Sequence, residues 1–338
     1  MEELFTLHNE IKTLLIDSNS NDPWHNLALE EYLTYNVGKN EAILYLWQND
    51  RTVVIGKNQN PWKECRLKEL EGDGGKLARR LTGGGAVYHD LGNLNFSFVM
   101  DKEIYNVEKQ LGVIISALKK LGIDCEFSGR NDIVSDGKKF SGNAFYSTDF
   151  SSLHHGTLLI NTDFSKLDKY LNVSIDKIKS KGIDSVKSRV VNLSQINESI
   201  TVEQVSKVVK ESFIDAYGGS GDIIDASLFE PKLKDVYNKY SSWQWIYGET
   251  PAFDMVLSNR FPWGGIDLCL NMENGYIKNT KVYTDSMDTM VFDKISDGLI
   301  GIMFDENSIK KALSNISVKD EEKNLVEDIM SWVVSKIA

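Results

Sequence analysis

Cysteine is scarce: only Cys65, Cys125 and Cys269 occur, widely scattered and at no metal-ligand spacing. Three reduced thiols are expected, not a disulfide framework. The five histidines include no HExxH pair, which argues against a zinc site. No apolar run approaches the roughly 20 residues needed to span a bilayer. The start, Met1-Glu2-Glu3-Leu4, has neither the basic nor the apolar region of a signal peptide. A cytoplasmic location with no membrane partner is therefore expected. Basic charge is also in deficit, with 38 Lys and Arg against 49 Asp and Glu and a net charge of −11. A nucleic-acid partner needs a phosphate-neutralising surface and is not expected, although a small basic pocket for one nucleotide stays open. No repeat or low-complexity tract is present.

What remains has the balance of a globular chain, 41% hydrophobic and 26% charged, and its 338 residues suffice for two domains. Asp22-Pro23 reads as a helix N-cap followed by proline at the first helical position, with Trp24, Leu27, Ala28 and Tyr32 on one face. Ala42–Trp47 and Thr52–Gly56 read as strands. Val107, Leu111, Ile114, Leu118 and Leu121 step by four and three, so a helix is expected over 104–121, closed by Gly122. Asp136-Gly137 marks a hairpin whose second strand, by its period of two, puts Lys139, Ser141 and Asn143 on one face. Thr201 and Gln204 form a capping box. Near residue 253 the texture changes: Ile266, Leu268, Leu270 and Met272 alternate with polar residues, Asn274-Gly275 makes a turn, and the end reads as helical. Strands and helices mix without strict βαβ alternation. The expected class is α/β (α+β), with a mixed-sheet domain over 1–253 and a small α+β domain over 254–338.

Three stretches carry chemistry. In Arg79-Arg80-Leu81-Thr82-Gly83-Gly84-Gly85-Ala86-Val87-Tyr88-His89-Asp90, successive glycines let backbone amides approach a ligand, and two arginines suit a phosphate or carboxylate. It is neither a Walker A loop nor a GxGxxG fingerprint. In Ser128-Gly129-Arg130-Asn131-Asp132 with Lys138-Lys139-Phe140-Ser141-Gly142-Asn143, a strand lysine can place a point charge on a carboxylate and a phosphate together. Asp132 is suited either to one-carboxylate magnesium binding or to capping a turn, and Lys138 to a solvated surface position. His154-His155 on a strand point to opposite faces, so at most one reaches a cavity.

Taken together, these segments resemble the lipoate–protein ligase family. The matching pieces run in order along nearly the whole chain: Asp22-Pro23-Trp24, Thr52–Gly56, Asn60-Pro61-Trp62-Lys63-Glu64-Cys65, Arg79-Arg80 through Asp90, Ser128–Asp132 and Lys139-Phe140-Ser141-Gly142. They continue with His154–Leu158, Lys181-Gly182-Ile183 through Ser188-Arg189-Val190, Ser241–Trp245, Pro251-Ala252-Phe253 and Trp263-Gly264-Gly265. The resemblance implies a catalytic domain with the fold of biotin ligases and class II aminoacyl-tRNA synthetases, plus a C-terminal accessory domain. It implies that lipoate and ATP with Mg2+ give lipoyl-AMP, which a lysine of an E2 lipoyl domain or of the glycine-cleavage H protein then attacks. By motif match, Arg80, Gly85, Ala86, Val87, Tyr88 and Lys139 are expected on ATP, and Gly84, Gly85, His89, Lys139, Ser141 and His155 on lipoate. Lys139 is the expected catalytic residue, Lys181, Gly182, Ser188 and Arg189 the adenylate-binding loop, and Asp132 the magnesium ligand. A monomer is the default expectation.

Two other readings compete. An octanoyl or lipoyl transferase on this scaffold would use a cysteine nucleophile and no ATP, but Ser147–Leu153, where that cysteine is expected, contains none. A non-catalytic lipoyl-binding protein would be expected to lack the central lysine or the glycine loop, and both are present.

Overall fold

The computed structural model describes residues 11–129, 131–172, 190–221, 223–247 and 255–337. The chain begins with strand β1 (Lys12–Asp17), helix α1 (Pro23–Asn36), β2 (Glu41–Trp47) and β3 (Thr52–Ile55). It continues with β4 (Lys76–Arg79), β5 (Val87–His89), β6 (Asn93–Asp101) and helix α2 (Val107–Lys120). Then come β7 (Glu126–Ser128), β8 (Asp132–Ser135), β9 (Lys138–Ser147), β10 (Ser151–Leu159), helix α3 (Val202–Tyr217), β11 (Ile223–Asp225) and helix α4 (Glu230–Ser241). A last unit holds β12 (Met255–Phe261), β13 (Gly264–Glu273), β14 (Tyr276–Thr284) and helices α5 (Met290–Leu299), α6 (Glu306–Ser314) and α7 (Lys323–Val334).

Eight strands form a mixed sheet in the order β11-β1-β2-β6-β10-β9-β8-β7, parallel where β1 meets β11 and β2 and antiparallel at every other pairing. Strand alternation sends Phe96 and Phe98 of β6 to one face, where α2 and α3 cover them with Leu111, Ile114, Val209 and Phe213. On the other face Tyr45, Trp47 and Val99 pack under Leu27 and Leu33 of α1. Each such fully buried side chain contributes about 1.5–3 kcal/mol. Asn95 and Ser97 share that second face and are buried too; polar residues in the middle of a central strand need a reason, and the cavity described below is the reason.

Local signals explain the elements that shape the site. Asp22 caps α1 by accepting from the Trp24 N–H, while Pro23 forfeits no helical donor. Asp136 (φ 49°) and Gly137 (φ 72°) make the turn between β8 and β9. Strand β9 then departs from strict alternation. Ile133 pairs with Ser141 and Val134 with Lys139, so Phe140 is an extra residue in a bulge, with its ring in the core. Lys139 and Ser141 therefore do not share a face, contrary to the period-two expectation.

A small sheet, β4-β3-β5, sits over the α1 side of the main sheet and carries the glycine loop between β4 and β5. The last unit is a three-stranded antiparallel sheet backed by α5, α6 and α7, with its own core around Leu268, Leu270, Phe292, Ile329 and Val333. The expected division at 253/254 falls outside the described residues. The last unit docks on the first through Gly84 N–H to Ser286 O (2.8 Å), Thr284 N–H to Asn58 O (2.7 Å) and a Lys57–Asp293 ion pair (2.7 Å). Among the described residues no helix is long and apolar enough to cross a membrane.

Candidate active site

Between the main sheet, the small sheet and α1 lies a cavity of about 190 Å³. Its walls include Leu27, Trp47, Val54, Ala86, Val87 and Ala144, with Arg80, His89, Asn95, Asn131, Lys139 and His155 among its polar groups. Leu27, Trp47 and His89 are buried, whereas a third of the Lys139 side chain is exposed (34%). The cavity thus joins buried apolar walls to a partly exposed ammonium, a combination that suits an apolar molecule with an anionic head.

Lys139 reaches the mouth because the bulge at Phe140 turns it to the cavity side, where it lies over Gly142. Its Nζ forms an ion pair with Asp132 Oδ1 at 2.7 Å, too bent to count as a hydrogen bond. Both groups are more than one-third exposed or nearly so, so the pair adds little to stability and opens readily. The main chain of Lys139 accepts from Val191 N–H at 2.9 Å.

The two arginines of the glycine loop divide the work. Arg79 donates to the carbonyls of Gly56, Lys57, Gln59, Trp245 and Ile246, and so fastens β4 to distant backbone rather than facing a ligand. This corrects the expectation of two anion-binding arginines. Arg80 lines the cavity, but it too donates mostly to protein: Nε to Thr82 Oγ1, one Nη1 hydrogen to Val54 O, and Nη2 to Gly83 O and Gly85 O. Burial pulls both guanidinium groups down to about 10, and both stay charged at neutral pH. Gly83 and Gly84 are required by what lies above them. A Cβ on Gly83 would fall 2.4 Å from Ser286 O, and one on Gly84 (φ 92°) would fall 2.8 Å from Met287 Sδ. Met287 of the last unit thereby completes the cavity wall.

Alternation along β5 sends Val87 and His89 into the cavity and Tyr88 away from it, onto the Tyr170 ring at 5.4 Å. The tautomer of His89 follows from its neighbours. Asn26 Nδ2 donates to the Ser20 and Gln48 carbonyls and shares a hydrogen with Asn49 Oδ1, which leaves the Asn49 Nδ2 facing His89 Nδ1 (3.2 Å). The proton of the neutral ring is then on Nε2, which has no partner among the described residues. Burial pushes this imidazole down to about 3. The histidine pair splits as expected. His155 faces the cavity side with both nitrogens engaged, by Glu30 and Thr82, while His154 bonds Gln110 and Asn143 on the other side. What His155 offers the cavity is ring surface.

The structure thus gathers Arg80, Gly84, Gly85, Ala86, Val87, His89, Lys139 and His155 around one cavity. Ser141 is a correction: the bulge buries it behind the strand, and it is not among the cavity residues. The side chain of Tyr88 is likewise turned away. Lys181, Gly182, Ser188, Arg189 and Arg130 lie outside the described residues. Sequence reasoning gave no site role to Trp47, Asn95, Asn131, Thr157 or Met287, although Asn131 and Thr157 lie in stretches it singled out. Asn93, Asn95 and Ser97 alternating through an otherwise apolar strand were a usable signal for the α1-side face, but nothing in the sequence marks Met287. None of the three cysteines lines the cavity, and burial pushes their thiols up, Cys65 to about 12.

Comparison with known proteins gives the class first. Residues 22–214 match the lipoyl protein ligase A/B catalytic domain and residues 250–333 the bacterial lipoate protein ligase C-terminus. The chain is 39% identical over 332 residues to lipoate-protein ligase A of Blochmanniella floridana, covering 96% of this chain and 98% of that protein. It is also 39% identical over 337 residues to lipoate-protein ligase A of Psychrobacter cryohalolentis, covering 97% and 99%. Among solved structures, P. falciparum LipL1 in complex with lipoate superposes with a TM-score of 0.84 at 34% identity, covering 96% of this chain and 99% of that one. A lipoate-protein ligase A bound with ATP gives a TM-score of 0.62 at 27% identity over 71% of this chain and 99% of that one. This chain belongs to the lipoate–protein ligase A family and is a ligase.

Proposed function

We propose that this ligase activates lipoate with ATP in the cavity under Lys139 and transfers the lipoyl group to a lysine of an acceptor domain. The observation that carries this is Lys139 itself, an ammonium at the open end of an apolar cavity and beside the glycine loop. Solved relatives hold lipoate and ATP, and an archaeal ligase is described with its E2 lipoyl domain. Lipoyl domains and the glycine-cleavage H protein are the acceptors that fit this reading. Residues 1–253 then form the catalytic domain and 254–338 the accessory domain.

The acyl tail occupies the Leu27–Trp47 end and sets its carboxylate against Lys139. One carboxylate oxygen attacks the α-phosphorus of ATP in line, and the bond from phosphorus to the pyrophosphate oxygen breaks. Negative charge that builds on the α-phosphate oxygens meets Lys139 and the backbone N–H groups of the Gly85–Val87 run. Arg80 contributes by bracing that run through Gly83 O and Gly85 O. The acceptor amine then attacks the acyl carbon, the bond to the phosphate oxygen breaks, AMP leaves with the electron pair, and the amine loses a proton to solvent. Lys181, Gly182, Ser188 and Arg189 are the residues that the resemblance assigns to binding the adenylate.

Asp132 suits a magnesium ion: it is a partly exposed single carboxylate, and among the described residues no cluster of three metal-ligating side chains exists, so phosphates and water would supply the other ligands. Bound there, the ion would neutralise phosphate charge.

Incubation with lipoate, MgATP and an unmodified lipoyl domain, followed by intact mass measurement of the acceptor, tests the proposal. A lipoyl mass gain that requires ATP supports it. Transfer from an acylated carrier without ATP would instead establish a transferase.

A further inference from the structure

Arg80 is a buried cation whose acceptors are all neutral: three carbonyl oxygens and the Thr82 hydroxyl. A buried guanidinium needs a counter-charge. Glu30, on α1, is 1% exposed and stands two side chains away. Its Oε1 lies 2.8 Å from His155 Nδ1, and His155 Nε2 lies 2.8 Å from Thr82 Oγ1, which in turn lies 2.9 Å from Arg80 Nε.

With Glu30 ionised and the His155 ring neutral, each bond has one sense. A guanidinium N–H only donates, so Thr82 Oγ1 accepts from Arg80. The threonine proton then turns to His155 Nε2, which leaves the ring proton on Nδ1, and the carboxylate of Glu30 only accepts. Arg80, Thr82, His155 and Glu30 therefore form a series in which every hydrogen bond points toward the carboxylate, and aligned bonds polarise one another. Ser97 Oγ donates to the same carboxylate oxygen, and Trp47 Nε1 donates to Ser97, which fixes Glu30 in place.

We infer that Glu30 is a positioning residue for Arg80: through His155 and Thr82 it keeps the guanidinium on the carbonyls of Gly83 and Gly85, and so sets the loop that receives the nucleotide. Glu30 need touch neither substrate to do this. Without its charge, Arg80 gains by leaving the loop carbonyls for water or a bound phosphate, and the loop loses its brace. The inference rests on the reading of the glycine loop as the ATP site.

The test is lipoate-dependent pyrophosphate release at varied ATP for the wild type, Glu30→Gln, Thr82→Val and the double variant. Glutamine keeps an acceptor for the ring N–H and deletes the charge, whereas valine keeps the shape of threonine and deletes the hydroxyl. Each single change is expected to raise the KM for ATP about tenfold with kcat within about threefold. Because both break one series, the double variant is expected to be no worse than the more severe single one. A wild-type KM in Glu30→Gln, or losses that multiply to about a hundredfold in the double variant, would overturn the inference. Nitrogen NMR of His155 in the wild-type protein needs no variant to fold: a proton on Nδ1 and a bare Nε2 are expected, and the opposite tautomer overturns the series. A wild-type protein that releases no pyrophosphate contradicts the proposed function, whereas an active one with multiplying losses contradicts only the role of Glu30.

Discussion

Lys139 lies in the space that a side chain at Gly142 would fill: a Cβ there would come within 2.9 Å of Nζ and 3.1 Å of Cε. The absence of a side chain at Gly142 is what lets the ammonium rest at the cavity mouth. Gly142→Ala should push the flexible lysine end aside at little cost to the fold. Adenylation is expected to fall about ten- to a hundredfold, since small displacements of a positioned charge cost that much. A thermal melt within a few degrees of wild type should accompany the loss. Full activity would show that Lys139 works from some other position.

At Gly83 the neighbour is rigid instead. A Cβ would stand 2.4 Å from Ser286 O and 2.5 Å from Met287 O, both backbone atoms of the last unit. Gly83→Ala should therefore undock that unit and break the Gly84 N–H to Ser286 O bond. Small-angle scattering should report a larger radius of gyration than for wild type, with circular dichroism unchanged. An unchanged scattering profile would mean that the two backbones yield more easily than their contacts imply.

These two glycines show what a sequence discloses and what it withholds. Asp22-Pro23, Asp136-Gly137 and the Thr201–Gln204 capping box are local instructions, each satisfied within a few residues, and each produced its element as expected. The alternation of His154 and His155 was equally local. Ser141 was misplaced because a bulge is set by the core's demand for Phe140, not by a residue pattern. Arg79 looked like an anion ligand because its true partners, the carbonyls of Trp245 and Ile246, lie 166 and 167 residues away. Met287 carries no signal at all, since its place in the wall follows from docking between the two units.

Acid should weaken the fold through two buried imidazoles. Burial pushes His89 and His154 each down to about 3, whereas in the unfolded chain each binds a proton near pH 6.5. Below about pH 6.5 the unfolded state therefore holds more protons, and stability is lost as pH falls toward 3. Each histidine contributes a slope approaching about 1.4 kcal/mol per pH unit inside that window and none above it. Urea unfolding should show midpoints that are steady above about pH 7 and fall steadily from about pH 6 to pH 4. A midpoint independent of pH across that window would mean that both rings are charged in the folded protein.

The most direct measurement is pyrophosphate release from ATP, with and without lipoate and with no acceptor present, by the wild type and by Lys139→Ala. The wild type should release pyrophosphate only when lipoate is added. Lys139→Ala should release almost none while melting at a similar temperature. Release by Lys139→Ala at the wild-type rate would contradict the placement of activation under Lys139, and no lipoate-dependent release by the wild type would contradict the activation itself.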